Sequence, residues 1–239
     1  MSLSKNHLKL ITSLRQKKYR QKHKMFVVEG VKVVKEFLNS SFELYQLFSV
    51  DSTFDEFANV VPISEQELKK ISNLTSPNKV LALFKIPELY ESKDSGLILA
   101  LDAINDPGNL GTIIRLCDWF GVEKIVCSKD TVDCFNAKVV QASMGSLTRV
   151  SLSYVNLSTY LKETNVPIYT ADMDGENVYT NKLPKKAVLV MGNEANGVSD
   201  EISSFSNYTL TIPRFGKIQK TESLNVATAT AILLSEFRR

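Results

Sequence analysis

The chain is 239 residues long, 44% hydrophobic and 23% charged, with a formal net charge of +3. That is enough for one large or two small domains; no apolar run reaches the ~20 residues of a membrane span, and the opening MSLSKNHLKL lacks the apolar core of a secretory signal. Three cysteines without metal-type spacing (Cys117, Cys127, Cys134) and only two histidines (His7, His23) point to reduced thiols in a cytoplasmic protein. They argue against a histidine triad and against any metal site.

In chain order, Ser4 is placed to cap a helix whose apolar residues are Leu8, Ile11 and Leu14. Residues 24–30 predict a buried strand, 31–40 a helix and 42–50 a strand. Ser64 with Glu67 three residues on forms a capping-box signature, and 78–85 predict a further strand. This alternation predicts a small α/β domain, assigned to residues 1–90. The polar stretch at about 86–96 reads as a linker. A second α/β run fills 96–239. Its strands are expected at 97–102, 122–128, 166–172, 186–192 and 208–213. Helices are expected at 108–121, 134–143, 155–164 and around 199–204, and a long, mostly apolar one at 222–239.

Charge is unevenly placed. Residues 1–28 hold eight of the 29 basic residues and no acid, leaving 21 basic against 26 acidic residues elsewhere. Such a cationic end favours a nucleic acid partner, the plainer reading being a solvated basic helix. Arg15, Lys17, Lys18, Arg20, Lys22 and Lys24 are the candidate RNA-binding residues.

Three loops carry possible chemistry, and each also has a purely structural reading. NDPGNLGTIIR (105–115) passes from a tight turn into a helix, whose free N–H groups and positive potential can hold an anion. Asn109 and Arg115, six apart, reach one pocket if Asn109 lies in the turn before the helix. Read structurally, this is a capped helix with a surface arginine. MGNEANG (191–197) follows a hydrophobic strand, where ligands of open α/β sheets bind. There Gly192 and Gly197 let backbone amides face a ligand and Glu194 adds an acceptor. A side chain at 192 is expected to fill ligand space or strain the backbone. The spacing matches neither the dinucleotide nor the P-loop motif. In the third loop, Ile212-Pro213 ends a strand and Ser223-Leu224-Asn225 enters the last helix, with Ser223 a possible N-cap.

Taken in order, N-x-G-x-x-x-R, then G-x-E-x-x-G, then I-P and S-L-N-V-A, with KVVQASMGS (138–146) between the first two, resembles the SpoU/TrmH family of RNA 2′-O-ribose methyltransferases, part of the SPOUT class. The resemblance runs from about residue 96 to 239. KKYRQKHKMFVVEGVKVVKEFL resembles the substrate-binding domain attached to many members, itself similar to RNA-binding ribosomal proteins.

The resemblance implies an α/β SPOUT catalytic domain with a C-terminal trefoil knot, preceded by a small α/β RNA-binding domain, in a homodimer. It implies S-adenosylmethionine as cofactor, held at Gly192, Gly197, Ile212, Pro213 and Leu224. Catalytic roles fall to Arg115 and Asn109, with Glu194, Ser223 and Asn225 completing the site. Ribosomal RNA is the expected substrate. The alternatives are a tRNA methyltransferase, a non-catalytic RNA-binding protein on the same fold and, more remotely, a nucleotide-binding metabolic enzyme. In the family the glycine after Ile-Pro lies closer to the serine. Here Gly216 and Ser223 are seven apart, and the longer loop carries Arg214 with Lys217 and Lys220, both candidate RNA contacts.

Overall fold

The computed structural model describes residues 3–57, 59–88, 96–218, 220 and 223–239. They form two compact units: Met1–Leu89 together with Asp133–Thr148, and Tyr90–Val132 together with Arg149–Arg239. The expected linker falls largely on residues 89–95, outside the described residues.

In the first unit, Ser4 caps α1 (Lys5–Ser13) by accepting the His7 N–H. α2 (Lys17–His23), β1 (Met25–Glu29), α3 (Val31–Leu38), β2 (Leu44–Ser49) and β3 (Val60–Pro62) follow. α4 (Glu65–Ile71) has the full capping box, with Ser64 and Glu67 satisfying each other's backbone donors, and β4 (Val80–Lys85) completes the sheet. The strand order is β1-β4-β2-β3. β4 runs antiparallel to both β1 and β2, while β3 is parallel to β2. Ile11 and Leu14 pack with Val27, Phe48, Ile71 and Leu81, so the basic N-terminal segment carries part of this core. On the other side Phe26 meets Phe37, Phe84 and, at 4.7 Å between ring centres, Phe135 of the 133–148 segment.

In the second unit β5 (Leu97–Leu101) leads into α5 (Pro107–Trp119), and β6 (Lys124–Ser128) follows. Next in the chain come α6 (Ala137–Ser143), whose residues belong to the first unit, and β7 (Ser151–Val155). The remaining elements are α7 (Leu157–Glu163), β8 (Ile168–Asn177), β9 (Ala187–Met191), α8 (Asp200–Ser203), β10 (Tyr208–Thr211) and α9 (Val226–Arg238). The sheet is parallel throughout, in the order β10-β8-β9-β5-β6-β7. β5 and β9 are buried at every residue, as central strands covered on both faces must be. Chain order reverses direction between β5 and β9, making their carboxyl ends a topological switch point. α9 buries Val226, Ala227, Thr230, Leu233, Leu234 and Phe237, and Arg238 donates to the carbonyls of Phe120 and Gly121 at the end of α5.

The sequence reading has no counterpart for α2, β3 or β7. KKYRQKH shows no apolar period, β3 is three residues long, and β7 is an edge strand with only Leu152 buried. The last helix starts at Val226 with Asn225 as its N-cap, rather than near 222 with Ser223 capping.

Candidate active site

α5 opens as its first residues dictate. Asp106 is the N-cap, its carboxylate accepting the Asn109 N–H at 2.8 Å, and Pro107 occupies the first helical position, where no N–H is needed. Asn109 is therefore the third residue of the helix and not in the turn before it. Its side chain nevertheless projects to the helix end, because helical side chains lean back toward the N-terminus. Arg115 lies six residues further on, roughly 9 Å along the axis at 1.5 Å per residue. It is solvent-exposed and has no hydrogen bond or ion pair among the described residues. On the buried face of the same helix, burial, with the charge of Asp118 adding to it, pushes the Cys117 thiol well up, so this cysteine stays protonated and inert as a nucleophile.

The 192–197 turn is closed by reciprocal backbone bonds between Asn193 and Gly197, at 2.8 and 2.9 Å. Gly197 takes φ +68°, which favours glycine. The Asn193 amide donates to the Ala103 carbonyl at 2.7 Å and its oxygen accepts the Ala195 N–H. Asp102, buried at the end of β5, accepts both the backbone N–H and the hydroxyl of Ser199. Asn193 and Asp102 thus clamp the turn to β5. The sequence reading did not single them out. The signals were a buried acid ending LILALD and an Asn placed to bond two residues ahead. Gly192 needs no positive φ. A Cβ there would lie 2.1 Å from the backbone of Gly197 and Val198, so the glycine is required by chain against chain and not by the backbone strain expected of it.

The third loop ends in Asn225, whose oxygen caps α9 by accepting the Ala227 and Thr228 N–H groups. Its amide donates to the Asn109 oxygen at 2.9 Å, and the Asn109 amide donates to Glu194 at 2.5 Å. Residues 85 and 116 positions away in sequence therefore meet at Asn109. Of the other expected site residues, Gly192, Ile212 and Pro213 are half-buried and Gly197, Ser223 and Leu224 are exposed. These positions offer main-chain groups and mostly apolar side chains. They offer no metal ligands, and among the described residues no three metal-type ligands gather anywhere. Ser223 has no hydrogen bond among the described residues. Lys217 and Lys220 are exposed on the long loop.

In the first unit Lys17, Lys18, Lys22 and Lys24 are solvent-exposed, with Lys18 over the Tyr19 ring and Tyr19 stacked on His23. Arg15 is exposed but holds the Ser72 carbonyl at 3.1 Å. Arg20 departs from expectation. It is 3% exposed, pairs with Asp133 at 2.5 Å and donates to the Leu14 and Arg15 carbonyls. With four of its five N–H donors engaged and the side chain enclosed, this guanidinium is not open to a phosphate, and its work is to hold α2 to the 133–148 segment.

Residues 96–235 match the model of the SpoU rRNA Methylase family, and residues 5–82 that of the MRM3-like substrate binding domain. The chain is 31% identical over 234 residues to the 23S rRNA (guanosine(2553)-2′-O)-methyltransferase RlmP of Bacillus subtilis, with 94% of this chain and 93% of that protein covered. The chain belongs to the SpoU rRNA methylase family. Among solved SpoU-type structures, one from Porphyromonas gingivalis, classed with RNA methyltransferases of the TrmH family, superimposes with a TM-score of 0.91 at 39% identity, covering 99% of this chain and 98% of that one. The rRNA methyltransferase of Sinorhizobium meliloti with bound AdoMet gives 0.86 at 28% identity, covering 100% and 97%. The α/β fold and the N-terminal substrate-binding domain expected of a SpoU member are therefore both present.

Proposed function

We propose that the chain transfers a methyl group from S-adenosylmethionine to a ribose 2′-hydroxyl of ribosomal RNA. The observation that carries this is the Glu194–Asn109–Asn225 chain, which joins the three motif loops at one point. The names of RlmP and of the AdoMet-bound relative support it. The cofactor supplies an activated methyl and a good leaving group. The protein's part is to place the hydroxyl in line and ease removal of its proton, and positioning of this kind is worth ~7–11 kcal/mol. Arg115, as a guanidinium, is a poor base. It binds the neighbouring phosphate and stabilises the developing alkoxide. Glu194, oriented by Asn109, is one route for the proton, beside phosphate and water. Gly192, Gly197, Ile212, Pro213 and Leu224 cradle the cofactor, and Ser223 completes the pocket. The trefoil knot of the family belongs to this reading.

Residues 1–90 serve as the RNA-gripping part and 96–239 as the catalytic part. Exposed Lys17, Lys18, Lys22 and Lys24, interleaved with the Tyr19–His23 stack, suit phosphate and base contacts. Arg15, Lys217 and Lys220 add to them. The protein acts in the cytoplasm as a homodimer. Trp119 on α5 is 84% exposed, and Phe215 and Ile218 on the long loop are 82% and 77% exposed, apolar surface that a second copy would cover.

The test is methyl transfer from tritiated cofactor to unmethylated rRNA, with the product mapped by alkaline-resistant linkages. Transfer to a ribose of ribosomal RNA is expected. Modification of tRNA alone would redirect the substrate, and cofactor binding without any transfer would leave only an RNA-binding protein.

A further inference from the structure

A cleft of about 460 Å³ opens in the second unit outside the carboxyl ends of four neighbouring strands, β9, β5, β6 and β7. It occupies the topological switch point, where open α/β sheets place their ligands. Gly197 of the cofactor positions lines its edge, but Gly192, Ile212, Pro213, Leu224 and Arg115 do not. Several of its polar groups are already engaged in holding its walls. Asp102 is held by Ser199, Asn193 by Ala103, Glu201 by Ser158, and Asn156 caps α7. Four others are not: Asn105, Asn196, Lys129 and Asp130 line the cleft, all solvent-exposed, with no hydrogen bond or ion pair among the described residues.

Those four define what fits. Two amides offer both donors and acceptors, one carboxylate accepts, and one ammonium donates. Three carboxylates (Asp102, Asp130, Glu201) face a single lysine, so an isolated phosphate would be repelled. A neutral, planar group with donors and acceptors along its edge, a nucleobase, matches instead. Lys129 is left for the phosphate attached to it.

The cleft also adjoins the catalytic chain. The 193–197 turn separates them: Glu194 reaches Asn109 on one side, while Asn193, Asn196 and Gly197 line the cleft on the other. With consecutive Cα atoms 3.8 Å apart, Glu194 and Asn196 lie within ~8 Å, about one nucleotide step. We infer that this cleft receives an unstacked base of the RNA strand immediately beside the methylated nucleotide, read by Asn105 and Asn196, so that it contributes sequence choice to the reaction proposed above, on which the inference rests.

The test uses the full-length protein with Asn105→Ala and Asn196→Ala combined, and separately Lys129→Ala. Three quantities are measured: cofactor affinity by calorimetry, the Kd for single-stranded RNA nonamers of mixed sequence in the presence of S-adenosylhomocysteine, and KM and kcat on unmethylated 23S rRNA transcript. The double variant is expected to keep its melting temperature and cofactor affinity, to weaken nonamer binding by about tenfold or more, and to raise KM with kcat nearly unchanged. Lys129→Ala is expected to lower the salt slope of nonamer binding by about 0.7. An abasic nucleotide beside the mapped methylation site should make the wild type behave like the double variant. Unchanged nonamer Kd and KM would overturn the inference. So would loss of cofactor binding, which would make the cleft a cofactor pocket, or binding of free AMP or GMP as tightly as RNA, which would make it an effector site. Wild-type protein that methylates no RNA, while the double variant still loses nonamer affinity, would refute the methyl-transfer reading and leave the cleft as an RNA site.

Discussion

Gly192→Ala is the smallest change that tests the geometry of the motif turn. A methyl group at 192 would stand 2.1 Å from Gly197 C and Val198 N and 2.3 Å from the Gly197 oxygen. All three are backbone atoms, so no side chain can swing aside, and the turn must move by roughly an ångström. That displacement breaks the two Asn193–Gly197 backbone bonds and pulls the Asn193 amide from Ala103. At about 1 kcal/mol net for each bond, the loss is about 3 kcal/mol, in line with the ~1–3 kcal/mol of forced overpacking. For a chain of this size that is a fall in melting temperature of about 6–12 °C. Cofactor affinity should fall with it, since the displaced turn includes Gly192 and Gly197. Thermal unfolding followed by circular dichroism and cofactor calorimetry read the two effects. A Gly192→Ala protein with wild-type melting temperature and affinity would show that the 197–198 backbone does not press on Gly192, and would undo the account of why glycine stands there.

Other residues separate structure from chemistry. Arg115→Ala, at an exposed position, should leave melting temperature and cofactor binding intact and lower methyl transfer by about 10²–10³, and Arg115→Lys should rescue little if the planar fork matters. Near-normal turnover of the alanine variant would remove Arg115 from the mechanism. Asn225→Asp keeps an oxygen to cap α9 but cannot donate to Asn109, so stability should hold while activity falls. Asn225→Ala should lose the same activity and also about 1 kcal/mol of cap, and wild-type activity in either variant would refute the hydrogen-bonded chain. Arg20→Met strands the Asp133 carboxylate and should cost about 3–5 kcal/mol, visible as early urea unfolding. If it instead lowered RNA affinity at unchanged stability, the structural reading of Arg20 would fall. Deleting residues 1–24 is no clean test of RNA binding, because Ile11 and Leu14 belong to the core.

Much of this molecule is written locally. The capping box at Ser64–Glu67, the Asp-Pro-Gly entry to α5 and the apolar runs of β5 and β9 are short-range patterns, in which a handful of adjacent side chains decide backbone geometry. The order of the three motif loops, carried by Asn109, Glu194 and Asn225, was likewise legible, and with it the family. What sequence could not decide depends on partners far along the chain. Arg20 reads like every other basic residue of its segment until Asp133, 113 positions on, is found beside it. Gly192 looks like a conformational glycine, yet the reason for it is the backbone of Gly197 and Val198 folding over it. Asn225 caps one helix while bonding the first turn of another, because one amide can accept and donate at once. The cleft at the switch point exists only because a strand from late in the chain, β9, lies beside β5. Local propensity fixes elements. Which polar groups are enclosed, and by whom, is fixed only when distant segments pack and the water between them is gone.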